Sequence, residues 1–327
     1  MLRRKLLAFP LILAFAAALP LASFAESGVF PDRQIRLIVG FPAGTGPDVV
    51  ARTVGLKLTD ILKQPLVVDN RAGAGGQIGA QAVAKSQPDG YTLLLGEVGS
   101  ISIAPASYSK LSYDPARELV AVSELVRSDF ILVVPVTSPY RSVKELVAGA
   151  AGKGDRVNFG TFGAGTPGHF GAEMFANEAG LKIEPVHYRA TGDAITALVA
   201  GDVQAAFVTT ALAAPQIKGG KLRALATTGA VRSALLPDVA TMTEAGFSKV
   251  DFSAWFALFA PAGTPVATLD VLNKAAVAAM QTPEVKRILQ DAGFALSGAG
   301  LVESERMVKA EAVRWAAVVK ATGFKAD

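Results

Sequence analysis

The stretch QIRLIVGFPAGTGPD at residues 34–48 decides the fold class, because an apolar strand runs directly into a glycine-rich turn and then a helix. A second stretch of the same kind, RVNFGTFGAGTPGH, occupies residues 156–169. Such a turn leaves backbone N–H groups unpaired and directs the positive end of the helix dipole beyond the strand. Two such turns that face each other can hold one anion from both sides. The sequence therefore predicts a site for small anions.

The first 25 residues have the features of a cleaved signal peptide. A basic start at residues 3–5 precedes an apolar run at 6–21, and Ser23 and Ala25 supply the small residues that a signal peptidase reads. The run is short for a membrane span of ~20 residues and contains two prolines, which argues against a retained anchor. Since the chain has no cysteine, neither a lipid anchor nor a disulfide is expected. The mature protein is therefore predicted to be exported.

The charge of the chain gives no indication of a polyanionic partner. The formal net charge is +4, but the leader carries three basic residues and no acidic one, which leaves 29 basic and 28 acidic residues. A nearly neutral chain has no basic footprint for nucleic acid or an anionic membrane. We therefore expect a small-molecule ligand and no nucleic acid.

Strands and helices alternate along most of the chain. Strands are predicted at residues 35–39, 66–68 and 92–95, with helices over 49–62 and 76–85 between them. Such alternation is typical of parallel sheets that are covered by helices. The predicted fold class is α/β.

Two domains are expected, because about 300 mature residues exceed a single core of ordinary size. Two apolar stretches, 124–134 and 249–259, could carry the chain between them. The prediction assigns residues 26–126 and 249–327 to lobe 1, and residues 127–248 to an inserted lobe 2.

Nine motifs match those of one known family, in the same order. They are FPAGTGPDVVAR (41–52), VVDNRAGAGGQIGA (67–80), PDGYTLLLG (88–96), SYSKLSYDP (107–115), GTFGAGTPGH (160–169), HYRATGDA (187–194), QIKGGKLRALATT (216–228), LLPDVATMTEAGF (235–247) and WFALFAPAGTP (255–265). The chain resembles the Bug-type extracytoplasmic solute receptors of tripartite tricarboxylate transporters. The resemblance covers essentially the whole mature chain.

The resemblance implies a type II periplasmic-binding-protein fold, in which two crossing strands join two α/β lobes around a ligand cleft. It implies a monomeric receptor that is not an enzyme and needs no cofactor or metal. Closure of the lobes would capture a di- or tricarboxylate, an acidic amino acid or an aromatic acid for a membrane permease. An alternative output of the same fold is a signal to a membrane sensor kinase.

The predicted ligand site combines the first turn (residues 41–46), the second turn (residues 161–166) and positions that border them. The alternative for each turn is an ordinary strand-to-helix connection whose glycines serve geometry alone. By the resemblance, backbone groups and bridging waters of the first turn hold the carboxylate, and the second turn completes the grip. The predicted site residues are Phe41, Pro42, Ala43, Gly44, Thr45, Gly46, Gly99, Ser100, Thr161, Gly163, Gly165, Thr166, His169 and Arg189.

Three of these residues have a structural alternative. Thr166 can cap its helix or reach the ligand. His169 can pack within the protein or face the cleft. Arg189 offers a planar fork suited to a carboxylate, but it could instead pair with Asp193 at the rim.

Several positions have expectations of their own. Glu97 stands where relatives carry a small or hydroxylated residue, and a carboxylate beside an anionic ligand is unfavourable. Glu97 is therefore expected to point outward; otherwise the ligand carries an amine or hydroxyl. Asp48 is expected to be a structural carboxylate and His187 a packing residue. Gln204 and Val208 stand where relatives often carry aspartates, and the loss of an acidic side chain at Val208 is expected to change substrate choice.

Two enzyme classes are the rivals. Residues 163–168 satisfy the GxGxxG spacing of a dinucleotide-binding oxidoreductase, but Tyr188 and Arg189 end the next strand where an acidic residue should hold a ribose. Hydrolysis is disfavoured because the sequence has no cysteine, no GxSxG elbow and no HExxH motif. Neither rival fits the sequence as well as a binding protein.

Overall fold

A computed structural model describes residues 30–153, 156–188 and 191–326; the predicted signal peptide and Arg189 lie outside the described residues. None of the described helices has the length and apolar content that crossing a membrane requires. The strands are β1 (Ile35–Val39), β2 (Leu66–Asn70), β3 (Thr92–Glu97), β4 (Leu119–Pro135), β5 (Val157–Thr161), β6 (Ile183–His187), β7 (Ala205–Thr209), β8 (Leu222–Thr227), β9 (Ser253–Pro261) and β10 (Ala295–Leu296). The α-helices are α1 (Gly46–Leu62), α2 (Gln77–Ala84), α3 (Ala104–Ser107), α4 (Pro115–Glu118), α5 (Val143–Lys153), α6 (Pro167–Ala179), α7 (Thr191–Ala200), α8 (Thr210–Lys218), α9 (Met242–Ala245), α10 (Val266–Gln281), α11 (Pro283–Asp291) and α12 (Leu301–Thr322). A 3₁₀ turn covers Ala74–Gly76, and a π-helical turn covers Gly99–Ile103.

The strands of the described chain form one mixed sheet. Its order is β2-β1-β3-β9-β4-β7-β5-β6, and β8 and β10 also pair with β4. Strand β1 runs parallel to β2 and β3, and β5 runs parallel to β6 and β7. Strands β4 and β9 are antiparallel to their neighbours. The predicted α/β class is confirmed, since helices connect the parallel strands.

Strand β4 is 17 residues long and changes partners along its length. Residues 119–129 pair with β9, whereas residues 130–135 pair with β7 and β8. We call β1, β2, β3, β9, β10 and the first part of β4 the first sheet half, and β5 to β8 with the rest of β4 the second sheet half. The change of partners falls inside the stretch 124–134. The lobe boundaries themselves stay a prediction.

Thr228 hydrogen-bonds both segments that connect the sheet halves, at Phe130 in β4 and at Phe252 just before β9. Thr228 Oγ1 donates to the carbonyl oxygen of Phe252 at 2.6 Å and accepts from the amide of Phe130 at 2.9 Å. The amide of Thr228 donates to the carbonyl oxygen of Phe130 at 2.8 Å. Because β9 begins at Ser253, opposite Asp129, the two connections between the sheet halves lie side by side.

Helix α12 packs across the junction between the sheet halves. The ring of Trp315, which is 1% exposed, lies 6.2 Å from that of Phe170 in α6 and 6.4 Å from that of Phe252. Phe252 in turn lies 4.9 Å from Phe130 and 5.3 Å from Phe207. A helix that the sequence assigns to lobe 1 therefore also contacts the second sheet half.

We expect Gly171→Ala to destabilise this junction. A Cβ at Gly171 would lie 2.0 Å from Cζ of the buried Phe252 ring, so the core would be overpacked. Such overpacking lowers the free energy of unfolding by about 1–3 kcal/mol, which urea denaturation measures.

The control is Gly192→Ala, at an exposed position of α7 with no atom within 4 Å of an added Cβ. It should leave the free energy of unfolding unchanged or raise it by up to about 1 kcal/mol, because alanine favours helix. Equal denaturation midpoints for both variants would contradict the packing of α6 on Phe252.

Candidate ligand-binding site

The strand register brings both glycine-rich turns to one gap. In the first sheet half, Glu97 at the end of β3 is level with Val126 of β4, because both pair with Phe256. In the second sheet half, Thr209 at the end of β7 pairs with Phe130 of β4. The carboxyl edges of the two groups of parallel strands are thus separated by ~13 Å along β4, at ~3.3 Å per residue. Ligands of open α/β sheets bind at such edges.

The glycine and threonine before each helix have nearly the same conformation in the two turns. Gly44 and Gly165 have positive φ angles of 79° and 73°. The threonines that follow, Thr45 and Thr166, precede α1 and α6 with φ and ψ of −82° and 166°, and −88° and 162°. Each threonine hydroxyl donates to the carbonyl oxygen three residues earlier, at 2.6 and 2.8 Å. Neither hydroxyl therefore caps its helix, so both helix ends remain open.

A buried side chain accepts the glycine N–H of each turn. Gly44 N donates to Asp48 Oδ2 at 2.8 Å, and Gly165 N donates to His169 Nδ1 at 3.1 Å. Both acceptors are 3% exposed and lie four residues after their glycine. Asp48 has the structural role expected of it, and His169 plays the same part in the second turn. A contact between His169 and a ligand stays a prediction.

A hydrogen-bond network holds the Asp48 carboxylate in place. Asn70 Nδ2 donates to Asp48 Oδ1 at 2.9 Å and to the carbonyl oxygen of Phe41 at 3.0 Å, and Arg52 Nε donates to Asp48 Oδ2 at 2.9 Å. Burial raises the pKa of Asp48, but the bonds from Arg52, Gly44 and Asn70 outweigh burial and hold it below its usual value. Sequence reasoning gave Asn70 no role, although it belongs to a matched motif.

His169 is neutral in its surroundings. Burial, and secondly the neighbouring His187, lower the pKa of His169 to about 4. The His187 ring lies 4.7 Å away, and its Nδ1 shares a hydrogen bond of 2.7 Å with Thr161 Oγ1. Phe324, from the end of the chain, meets His169 edge-on at 4.9 Å. Since Nδ1 of His169 accepts the Gly165 amide, its proton is assigned to Nε2.

Main-chain donors remain for a ligand in both turns. Within the described ranges, no hydrogen bond uses the amide of Ala43 or Gly46 in the first turn, or that of Ala164 or Thr166 in the second. All four residues are at least partly exposed. An anion between the turns would meet free amides at two helix N-termini.

The expected outward orientation of Glu97 is wrong. Glu97 is 7% exposed, and its carboxylate accepts from Gly99 N at 2.8 Å and Ser100 N at 2.7 Å. The reason is local: the π-helical turn begins here, and its first amides need an acceptor. Burial raises the pKa of Glu97 to about 7, although the two amides oppose this. Ligand contacts by Gly99 and Ser100 stay predictions.

The two positions where relatives often carry aspartates contribute to the structure of the second sheet half. Val208 is fully buried in β7, and Gln204 Oε1 accepts from the amide of Asn158 at 2.7 Å. Their effect on the ligand stays a prediction. In the part of the chain that the structure describes, no group of three or more His, Asp or Glu side chains is placed to hold a metal ion.

Stability in acid should depend on His169. Protonation of Nδ1 would break the bond from Gly165, and the pKa is about 4 in the folded protein against 6.5 for a free histidine. Because folding lowers this pKa, the contribution of His169 is present above pH 6.5 and is lost as the pH falls through 4. The loss should be roughly 3 kcal/mol, at ~1.4 kcal/mol per pKa unit.

His169→Asn removes the titration but keeps an oxygen that can accept the Gly165 amide. Urea denaturation at pH 7, 5 and 4 should show the variant losing less stability than the wild type over this range. Parallel losses in the two proteins would contradict the role of His169.

The family is shown by comparison with known proteins. Residues 50–324 match the family model described as tripartite tricarboxylate transporter family receptor. The protein BugT of Bordetella pertussis (strain Tohama I) is 35% identical over 317 residues, which cover 95% of this chain and 96% of that protein.

Solved structures of similar proteins have the same fold. The structure of the periplasmic binding protein BugD is 29% identical with a TM-score of 0.81, covering 90% of this chain and 99% of that one. The structure of R. palustris Rpa4515 with adipate is 31% identical with a TM-score of 0.84, covering 90% and 99%. The predicted periplasmic-binding-protein fold is confirmed, and the family consists of substrate-binding receptors rather than enzymes. The chain belongs to the Bug-type receptors of the tripartite tricarboxylate transporter family.

Proposed function

We propose that this protein captures a small carboxylate between its first and second turns and delivers it to a permease of the tripartite tricarboxylate type. The observation that carries the proposal is the pair of matching turns, which present free amides and uncapped helix ends to one gap. A carboxylate has two oxygens and can accept from both turns at once. The adipate in the structure of Rpa4515, a dicarboxylate, supports this ligand class.

Affinity requires both turns. One helix N-terminus contributes about 0.3–1 kcal/mol when exposed and up to ~2 kcal/mol when partly buried. A micromolar complex needs about 8 kcal/mol in total. One turn alone therefore falls short, whereas two helix ends, several charge-assisted hydrogen bonds and the exclusion of water can together reach this value.

Closure of the sheet halves would bring the turns onto the ligand. The two connections at β4 and β9 lie side by side and form a natural axis for a hinge movement. Segments assigned to the two predicted lobes already approach each other beside the gap, where a Cβ at Gly293 would lie 3.0 Å from the amide nitrogen of Ala211. In this proposal the receptor works as a monomer in the periplasm, after removal of its leader.

Carboxylates should raise the melting temperature of the protein. A ligand that binds only the folded state stabilises it by mass action, by about 2.7 kcal/mol at one hundred times its dissociation constant. A thermal-shift screen of dicarboxylates, tricarboxylates, acidic amino acids and aromatic acids should contain at least one positive response. Sugars and cationic amino acids are the controls. If no acid raises the melting temperature and a control compound does, the proposal is contradicted.

Gly44→Ala should weaken the binding of the acid that gives the largest thermal shift. Gly44 has a φ of +79° with no atom near an added Cβ, so alanine meets no clash but must adopt a left-handed backbone. Relaxation of the turn would displace the amides of Ala43 and Gly46. We expect calorimetric affinity to fall about 10-fold or more, which corresponds to ~1.4 kcal/mol.

Gly180→Ala is the matched control for this experiment. Gly180 has a φ of +65°, is likewise free of close neighbours, and lies at the opposite end of α6 from the second turn. Both variants should lose similar stability, but the control should keep wild-type affinity. If Gly44→Ala also keeps wild-type affinity, the first turn does not bind the ligand.

A further inference from the structure

Glu97 borders the same gap as the two turns. Strands β1 and β3 are parallel with Val39 opposite Leu95, so Glu97 at the end of β3 is level with the beginning of the first turn. A Cβ at Gly76 would lie 3.3 Å from the Phe41 ring and 3.5 Å from Ser100 Cβ. The turn that Glu97 accepts from is therefore packed beside the first turn. We call Glu97, Gly99 and Ser100 the β3 corner.

We propose that Glu97 determines specificity: it makes the β3 corner an acceptor of hydrogen bonds, and so selects acids whose second polar group is a hydroxyl or an ammonium over dicarboxylates. The inference deepens the proposed function and rests on it, since the first carboxylate of the ligand is placed between the two turns.

The amides of the β3 corner are already occupied. Gly99 N and Ser100 N each donate to a different oxygen of the Glu97 carboxylate, at 2.8 and 2.7 Å. A carboxylate of the ligand would find no free amide pair there, in contrast to the first and second turns. The Glu97 oxygens have about four acceptor sites, and the two amides use two of them. The corner therefore offers acceptors where the turns offer donors.

The charge of Glu97 is not compensated by a neighbouring cation. Among the described residues, no lysine or arginine forms an ion pair with it. Its titratable neighbour is Tyr113, whose hydroxyl donates to the carbonyl oxygen of Ser100 at 2.5 Å. Burial and, secondly, the charge of Glu97 raise the pKa of Tyr113, which keeps the phenol neutral. Burial raises the pKa of Glu97 itself to about 7, so the carboxyl is largely ionised at about pH 8. At that pH a second carboxylate in this corner would meet a like charge in a poorly hydrated place.

The competing explanation is that Glu97 only stabilises the π-helical turn. Substitution of Glu97 would then lower the stability of the protein and weaken the binding of all acids by the same factor, without changing which acid is preferred. The ratio of two affinities in one variant separates these explanations, because an effect on folding or closure cancels in that ratio.

The test is isothermal titration calorimetry at about pH 8, where Glu97 is largely ionised, with two series of acids of equal length. One series is succinate, 4-hydroxybutyrate and 4-aminobutyrate, and the other is adipate, 6-hydroxyhexanoate and 6-aminohexanoate. In at least one series the wild type should bind the hydroxy or amino acid at least 10-fold more tightly than the dicarboxylate. Glu97→Gln and Glu97→Ser should each reduce this ratio at least 10-fold; the first keeps an oxygen acceptor in case the second fails to fold.

The control is Glu118→Gln. Glu118 also accepts a main-chain amide, from Asp114 at 2.7 Å, and pairs with Lys85. It precedes Leu119, the first residue of β4, whereas the gap lies beside the middle of that strand at residues 126–130. This variant should leave the ratio unchanged.

The outcomes distinguish the two proposals. Three results would each overturn the role of Glu97. In the first, the wild type binds each dicarboxylate as tightly as the hydroxy and amino acids of the same length. In the second, the Glu97 variants leave the affinity ratio unchanged, and in the third, all six acids fail to bind. The proposed function survives these results as long as some acid in the thermal-shift screen stabilises the protein. If no acid does and a control compound binds, both proposals fall.

Discussion

The site depends on one hydrogen bond that occurs twice: the amide of a positive-φ glycine donates to a buried side chain four residues later. This bond holds Gly44 over Asp48 and Gly165 over His169, at 2.8 and 3.1 Å. With the glycine amide fixed, the threonine hydroxyl turns back to a carbonyl oxygen and leaves the helix end uncapped. The remaining amides then face solvent, where an anion can accept them.

The long strand β4 turns these two local structures into one site. Each turn alone is a common strand-to-helix connection, and the register of β4 decides that both open on the same gap. Its residues up to Asp129 hold the first sheet half, and those from Phe130 hold the second. Thr228 hydrogen-bonds both segments that connect the sheet halves, so the hinge of the proposed closing movement would lie beside the gap.

What the sequence could predict followed from local rules. Glycine positions and apolar runs are sufficient for the turns, most strands and the start of α11 at Pro283, because these depend on backbone freedom and periodicity. The equal four-residue spacing in both turns is also visible in the sequence. The burial of Glu97 and the contact of Phe324 with His169 depend on tertiary packing, which a single sequence does not display.

The chemistry beneath the turns explains why one acceptor is an aspartate and the other a histidine. Asp48 can stay ionised because Arg52 and Asn70 bond it, so its charge is largely offset. His169 lies among aromatic rings, with Glu173 Oε1 4.0 Å from its Nε2. A second carboxylate here would be costly, whereas a neutral imidazole accepts the same amide. Neither acceptor side chain therefore cancels the positive charge at the N-terminus of its helix, and that charge is what attracts an anion. Glu97 differs from both, because among the described residues no lysine or arginine pairs with it and burial raises its pKa to about 7.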